Sequence, residues 1–211
     1  NYELGYRKIS ETSLLNISFF VSDRIDRQVS VSAQQYDNDP NSFYYFTANS
    51  GKGWLRGVEL EYDFNIMKNI DINYSFGYLD TWIDKFSIEI EEGIEQVSGN
   101  REAAMSPNIS SSISISYRHA GYFLTYNQTY KGAYYFSDSH NNQTDPFSLS
   151  NLLLGKQIKK LTFSIWGNNI FDKRYAVRGF YFGLIPPNYD PQLWLSYGDP
   201  FQAGFTINYD F

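Results

Sequence analysis

Hydrolysis or group transfer at neutral pH needs a nucleophile and a base held side by side, and this sequence is poor in both. Histidine occurs twice, at His119 and His140, and cysteine not at all. His119 falls in a short polar turn at 118–121, and His140 in the polar run Ser137-Asp138-Ser139-His140-Asn141-Asn142-Gln143-Thr144-Asp145. Neither spacing sets up a Ser-His or Asp-His arrangement, so no catalytic residue is assigned and no enzyme is expected. Without cysteine there is no disulfide, thiolate metal site or Cys nucleophile. The run 137–145 has oxygen donors enough for a hard cation or a sugar but lacks Ca²⁺-loop spacing, and reads as a solvated turn. Glu89, Glu91, Glu92 and Glu95 form an acidic run that reads as a solvated loop. No cofactor or metal site is expected.

Binding chemistry is better represented. The long connection 170–200 carries Arg178, Phe180, Tyr181, Phe182, Tyr189, Trp194 and Tyr197. Aromatic rings beside a guanidinium can stack on a flat ligand such as a chelate or a sugar; the alternative is a loop packed on its neighbours or folded over a rim. Five Asn-x-Ser/Thr sequons, such as Asn127-Gln128-Thr129, are accidental in a bacterial protein.

The elements that must carry this loop are strands. Aromatics make up 19% of the 211 residues, yet mean hydropathy is −0.44, so apolar and polar residues interleave. No run approaches the roughly 18 apolar residues of a transmembrane helix. Strands of a membrane barrel leave only a weak hydropathy signal, because half of each faces the lumen. A net charge of −6 disfavours nucleic acid as a partner, since that needs clustered Lys and Arg.

Period-two alternation marks nine strands. Ile109, Ile113, Ile115 and Tyr117 oppose Asn108, Ser110, Ser112, Ser114 and Ser116, a row of small hydroxyls suited to a lumen. Ile70, Ile72, Tyr74, Phe76 and Tyr78 oppose Asp71, Asn73, Ser75 and Gly77; Trp54, Val58, Leu60, Tyr62 and Phe64 oppose Gly57, Glu59, Glu61 and Asp63. Further apolar rows run through Tyr2, Leu4 and Tyr6; Leu15, Ile17, Phe19 and Val21, extended by Val29 and Val31; Tyr122, Leu124, Tyr126, Tyr130 and Tyr134; Phe147, Leu149 and Leu153; Leu161, Phe163 and Ile165; and Phe201 to Phe211. The charged residues opposite these rows, with Lys131, suit lumen water or a plug rather than catalysis. Short and long connections alternate throughout, as in transmembrane barrels with short periplasmic turns and long extracellular loops. That places the C-terminus in the periplasm. Aromatics at strand ends suit interface girdles: Phe64, Tyr117, Tyr122, Tyr209 and Phe211 on the periplasmic side, and Tyr78, Trp82, Tyr134, Phe136 and Phe147 on the outer.

Several motifs resemble those of TonB-dependent outer-membrane receptors. Glu3-Leu4-Gly5-Tyr6-Arg7 resembles that family's "ELGYK" strand; Ala48-Asn49 with Arg56-Gly57-Val58-Glu59-Leu60-Glu61 resembles its "N…GxExE" hairpin entry. Asn168-Asn169-Ile170-Phe171-Asp172-Lys173-Arg174-Tyr175 is similar to its "NLFDxxY" signature, and Gly198-Asp199-Pro200 to Asn208-Tyr209-Asp210-Phe211 to its ending. Phe201 stands where the family often has Arg. The resemblance implies an all-β, antiparallel transmembrane barrel of about 22 strands around an N-terminal plug, with residues 1–211 its C-terminal portion. Nine strands cannot close as an even-stranded barrel, so strands are expected upstream. It further implies uptake of a scarce nutrient (ferric siderophore, haem, cobalamin or oligosaccharide) energised by TonB through the N-terminal region, in the outer membrane of a Gram-negative bacterium. Phe211 resembles the C-terminal aromatic signal read by the barrel assembly machinery, and the lipid partners would include lipopolysaccharide, whose bridging cations the acidic run could bind. The rivals are a passive porin or small structural barrel and, less favoured, an outer-membrane hydrolase.

Overall fold

The computed structural model describes residues 1–34, 42–49, 51–91 and 94–211. Within them lie fifteen antiparallel strands: β1 (Tyr2–Ile9), β2 (Ser13–Arg24), β3 (Gln28–Gln34), β4 (Phe43–Asn49), β5 (Gly53–Met67), β6 (Ile70–Ile83), β7 (Phe86–Glu91), β8 (Ile94–Ser98), β9 (Ile109–His119), β10 (Tyr122–Lys131), β11 (Phe147–Ile158), β12 (Leu161–Asn168), β13 (Ala176–Phe182), β14 (Gln192–Tyr197) and β15 (Gln202–Tyr209). Nine form one open sheet in the order β1-β2-β5-β6-β9-β10-β11-β12-β15, and three hairpins, β3-β4, β7-β8 and β13-β14, stand off one end. The nine-strand expectation therefore holds. The alternation did not disclose the hairpins, which occupy stretches read as plain connections. Val29 and Val31 belong to β3, so they do not extend β2 as expected; the chain leaves the sheet after Arg24 and turns at Asp26, whose φ is 53°.

Cross-strand register sorts the side chains into two faces, because directly paired residues share a side. One row runs Phe19–Val58–Tyr78–Ile109, another Leu15–Tyr62–Tyr74–Ile113–Gln128. On the C-terminal side Leu154–Ile165–Phe205 and Lys156–Phe163–Ile207 continue the same apolar face. Phe205 is 64% and Ile165 56% exposed, an untenable surface in water and the expected one against hydrocarbon. The opposite face is hydroxyl, amide and carboxylate. Ser75 bonds Ser112 at 2.8 Å, Asn73 donates to Asp63 at 2.7 Å, and Ser18 donates to Glu3 at 3.0 Å.

One strand reverses its expected parity. In β11, Leu153 pairs with Thr125 and Trp166 on the polar face, while Leu152 and Leu154 pair with Tyr126 and Ile165 on the apolar one. Phe147, Leu149 and Leu153 thus face inward. Six consecutive residues with four leucines carry no clear period, and only the neighbours' register decides. Three aromatics also sit on the polar face, each directly opposite a glycine: Phe20 on Gly57, Phe123 on Gly155 and Trp166 on Gly204. A Cβ on any of these glycines would collide with the ring lying over it. The ring covers backbone that glycine leaves bare.

The apolar face carries one ion pair, Arg56 Nη2 to Asp80 Oδ2 at 2.8 Å, with the guanidinium 4.5 Å from the Trp54 ring. From Phe64 to Arg56 the strand climbs roughly 20 Å, at about 3.3 Å per residue and a tilt of about 40°. This puts the pair near the far interface, where charge is cheap, beside the Trp54–Trp82 cross-strand pair. Tyr78 and Trp82 lie on the apolar face toward the hairpin-bearing end; Tyr134, Phe136 and Phe147 do not lie on that face. They are buried at 6%, 7% and 8% exposure, packed inward at the end that bears the hairpins.

Lysine at apolar-face Ile113, Ile115 or Leu154 should destabilise the barrel by about 2 to 4 kcal/mol near mid-membrane, whereas lysine at Ser112, Ser114 or Leu153 should cost far less. Denaturant unfolding in lipid vesicles measures the difference; equal costs at both parities would refute this register.

Candidate functional site

The hairpin β13-β14 carries the aromatic set that the sequence singles out. Phe180 pairs with Trp194, Phe182 with Gln192 and Arg178 with Ser196, which puts Arg178, Phe180, Phe182 and Trp194 on one face. The Phe182 and Trp194 rings lie 6.5 Å apart, and Trp194 Nε1–H donates to the Phe182 carbonyl at 3.1 Å. Tyr181 takes the opposite face, 6.0 Å from the His140 ring. Tyr189 lies apart in the hairpin tip, with φ 53° and its N–H on the Ile185 carbonyl at 3.0 Å. Of the seven residues named in this loop, four are therefore brought together; Tyr181 and Tyr189 are not, and Tyr197 pairs with Ala176, its ring 4.0 Å from the Arg174 guanidinium. One face of the hairpin packs on its neighbours, while Arg178 and Phe180 remain exposed. A half-exposed strip of rings with a guanidinium suits a flat ligand.

Two devices hold the hairpin in place. The first is the Asn169-to-Tyr175 segment. Asn169 is 5% exposed; its side-chain amide donates to the Lys173 and Asp199 carbonyls at 3.0 Å each, and its Oδ1 accepts the Lys173 N–H at 2.9 Å. Asp172 Oδ1 accepts the Phe201 N–H at 2.9 Å. Both residues have φ of 47°, a left-handed conformation that Asn and Asp tolerate best among non-glycine residues. Tyr175 then lies 4.6 Å from the Phe147 ring and against Gly198, where a Cβ would overlap it. This motif is thus a structural lock between β12, β13 and β15.

The second device is the connection 132–146. The sequence reads 137–145 as a solvated turn, and the structure corrects that: Ser137 to His140 are half-buried and Thr144 is buried. Asp138 is its centre. One carboxylate oxygen takes Arg27 Nη2 at 3.0 Å and the other the Ala104 N–H at 3.1 Å, while its carbonyl accepts the Ser98 hydroxyl. Arg101 donates to the Ser137 and His140 carbonyls at 2.6 and 3.1 Å, its guanidinium 4.1 Å from the Tyr135 ring. Burial pulls the Arg101 pKa down against the pull of Asp138, and burial pushes Tyr134 up; both keep their usual charge at neutral pH. Residues from four connections thus meet at Asp138 and Phe136, whose ring lies against Gly179 of β13. Nothing local in the sequence distinguishes Arg27 and Arg101, and Asp138 shows there only as one oxygen donor of the polar run; their partners are 34 to 111 residues away.

Among the other candidates, Glu89 of β7 lies opposite Glu95 of β8 and Glu91 opposite Ile94, while Glu92 falls outside the described residues. The acidic run is therefore partly hairpin. Asn73 donates to Asp63 and Asn16 to Glu61 on the polar face. Phe211 is fully exposed, its ring 5.2 Å from Tyr209. His119 closes β9 opposite Tyr122 rather than lying in the turn, its ring 6.4 Å from Tyr117. No group of three or more His, Cys, Asp or Glu among the described residues is placed to hold a metal ion.

His140 is held neutral, chiefly by burial and further by Arg101, against the opposing pull of its bond to the Gly179 backbone. Its Nδ1 accepts the Asn142 N–H at 3.3 Å, so a second proton there would face a donor. With a folded pKa below the usual 6.5, the opened loop binds more protons; the stabilisation is complete above that value and falls as pH drops through it. Protection factors at 137–145, taken against the acid-slowed intrinsic amide exchange, should fall below pH 6.5 and do so less in His140→Gln. Asn169→Ala strands buried backbone groups and should cost about 1 to 3 kcal/mol, read as a lower thermal midpoint of the folded barrel.

The comparisons with known proteins can now be set beside this geometry. A family model described as TonB dependent receptor-like, beta-barrel, matches residues 1–170. The ferric yersiniabactin uptake receptor FyuA from Yersinia pestis superposes with a TM-score of 0.77 at 17% identity, over 100% of this chain and 29% of that one. The siderophore receptor PiuA from Acinetobacter baumannii gives 0.69 at 16%, over 98% and 28%. The copper transporter OprC gives 0.66 at 14%, over 99% and 30%. The chain spans less than a third of the length of each, and at these identities the likeness is one of fold. These proteins are receptors and transporters rather than enzymes. The family match covers most of the chain: it belongs to the TonB-dependent receptor β-barrel family and is a stretch of outer-membrane barrel wall.

Proposed function

We propose that residues 1–211 are the C-terminal portion of the barrel of an outer-membrane receptor that takes up a scarce nutrient, a ferric siderophore in first place, with energy delivered by TonB through the N-terminal region. The observation that carries this reading is the face of β13-β14 that presents Arg178, Phe180, Phe182 and Trp194 together, braced by the Asn169 lock and the Asp138 centre. A ring strip with one guanidinium suits an anionic chelate, whose charge it can pair, better than a neutral sugar. Haem, cobalamin and oligosaccharide remain members of the same class of cargo.

The remaining partners follow from position. The apolar face, with the Arg56–Asp80 pair at its outer interface, meets outer-membrane lipid and lipopolysaccharide. The hairpins face the cell exterior, and the short turns and the C-terminus face the periplasm. Phe211, exposed at the end of β15, serves as the aromatic signal for the assembly machinery. The polar-face carboxylates Glu59, Glu61 and Asp63 meet a plug or lumen water, and nucleic acid is no partner.

In the full-length receptor, Phe180→Ala combined with Trp194→Ala should weaken binding of its ferric chelate at least about tenfold, in line with losing stacked rings worth roughly 1.4 kcal/mol. Uptake of the labelled chelate should stop in cells without TonB. Uptake that persists there would mark a passive pore, and unchanged affinity in the double variant would remove the hairpin face from the site.

A further inference from the structure

At the hairpin-bearing end of the sheet, between the ends of β2, β5 and β6, lies a cavity of about 110 Å³. Arg24, Arg27 and Lys52 line it together with Thr81, Ile83 and Ser106, and among the described residues no Asp or Glu does. Three cations converging on a small space raise its potential and attract a counter-charge. The carboxylate that Arg27 meets, that of Asp138, is already engaged by Arg27 Nη2 and the Ala104 N–H. The Arg27 Nη1 is buried and has no hydrogen-bond partner among the described residues, a costly state for a charged donor. Thr81, 6% exposed, accepts the Ala103 N–H at 3.1 Å, which leaves its own hydroxyl proton to give. Charge, an orphaned guanidinium nitrogen and a free hydroxyl donor thus occur in one place.

We propose that this cavity binds one anionic oxygen group, a carboxylate or a phosphate, held by Arg24, Arg27 and Lys52 with a hydrogen bond from Thr81. The volume admits a single such group rather than a whole chelate. Its place at the mouth, apart from the β13-β14 ring strip, would make it a second point of attachment. That role rests on the uptake reading above, whereas the binding itself does not. The same oxygen chemistry is offered by a soluble anion and by a phosphate of lipopolysaccharide.

The full-length receptor, purified in detergent and freed of lipopolysaccharide, is titrated calorimetrically with inorganic phosphate and separately with citrate. Saturable binding of at least one is expected, weakening as salt rises and at least about tenfold in the double variant Arg24→Ala with Lys52→Ala. Both side chains are exposed and outside the Asp138 centre, so the fold should persist, checked by an unchanged thermal midpoint. Arg27→Lys keeps the charge and loses the fork, and should fall between the two. Purified lipopolysaccharide is then added as competitor: displacement of the anion identifies a lipid phosphate as a source, and its absence a soluble one. No saturable binding, or equal affinity in wild type and double variant, overturns the proposal. Loss of cargo uptake in wild-type cells would instead refute the receptor reading and leave this titration unaffected.

Discussion

A backbone that crosses hydrocarbon has no water to satisfy its N–H and C=O groups, and an extended chain can satisfy them only by pairing with neighbours on both sides. This requirement sets the whole nine-stranded sheet, in which seven strands have two partners each and β1 and β15 have one. Pairing then fixes register, and register fixes which side chains meet lipid. The stabilisation is spread along the ladders rather than gathered in a centre: among the described residues no large side chain is fully buried, and the few buried apolar residues lie at the hairpin end.

That end is where the constraint relaxes. Beyond the membrane, water can satisfy the backbone, so the connections lengthen and form their own hairpins. They need separate ties, and these are polar and aromatic rather than ladder-like. Asp138 draws in Arg27, Ser98 and Ala104; Arg101 caps two carbonyls; Phe136 seats on Gly179, and Tyr175 on Phe147 and Gly198. A mouth built this way is ordered without being closed. Its side chains stand on braced elements, which leaves them little conformational freedom.

The motif that did most to suggest the family turns out to work as scaffolding. Asn169 and Asp172 accept left-handed backbone and terminate carbonyls and N–H groups that no strand pairs, so their chemistry is that of a turn. The aromatic strip of the β13-β14 hairpin stands next to them, its rings less regularly spaced. The Gly–aromatic pairs make the same point on the polar face: Phe20, Phe123 and Trp166 look out of place in their strands until the glycine opposite each is known.

Alternation alone was sufficient for nine strands, their antiparallel order and the inward and outward sides of β5, β6, β9, β12 and β15, because a half-buried strand writes its environment into every second residue. It failed at β11, where Leu152, Leu153 and Leu154 satisfy either parity, and at Tyr134, Phe136 and Phe147, whose buried aromatic character looks the same in sequence as an interface ring. The aromatic loop 170–200 was visible as a candidate, but its division into a shared face with Arg178, Phe180, Phe182 and Trp194 and a separate Tyr181 and Tyr189 was not. Local sequence determined the strands, since period and turn chemistry act over a few residues. Only the tertiary structure decided the hairpin mouth, because the bonds that build it join Arg27 to Asp138 and Arg101 to Ser137 across connections that carry no common repeat.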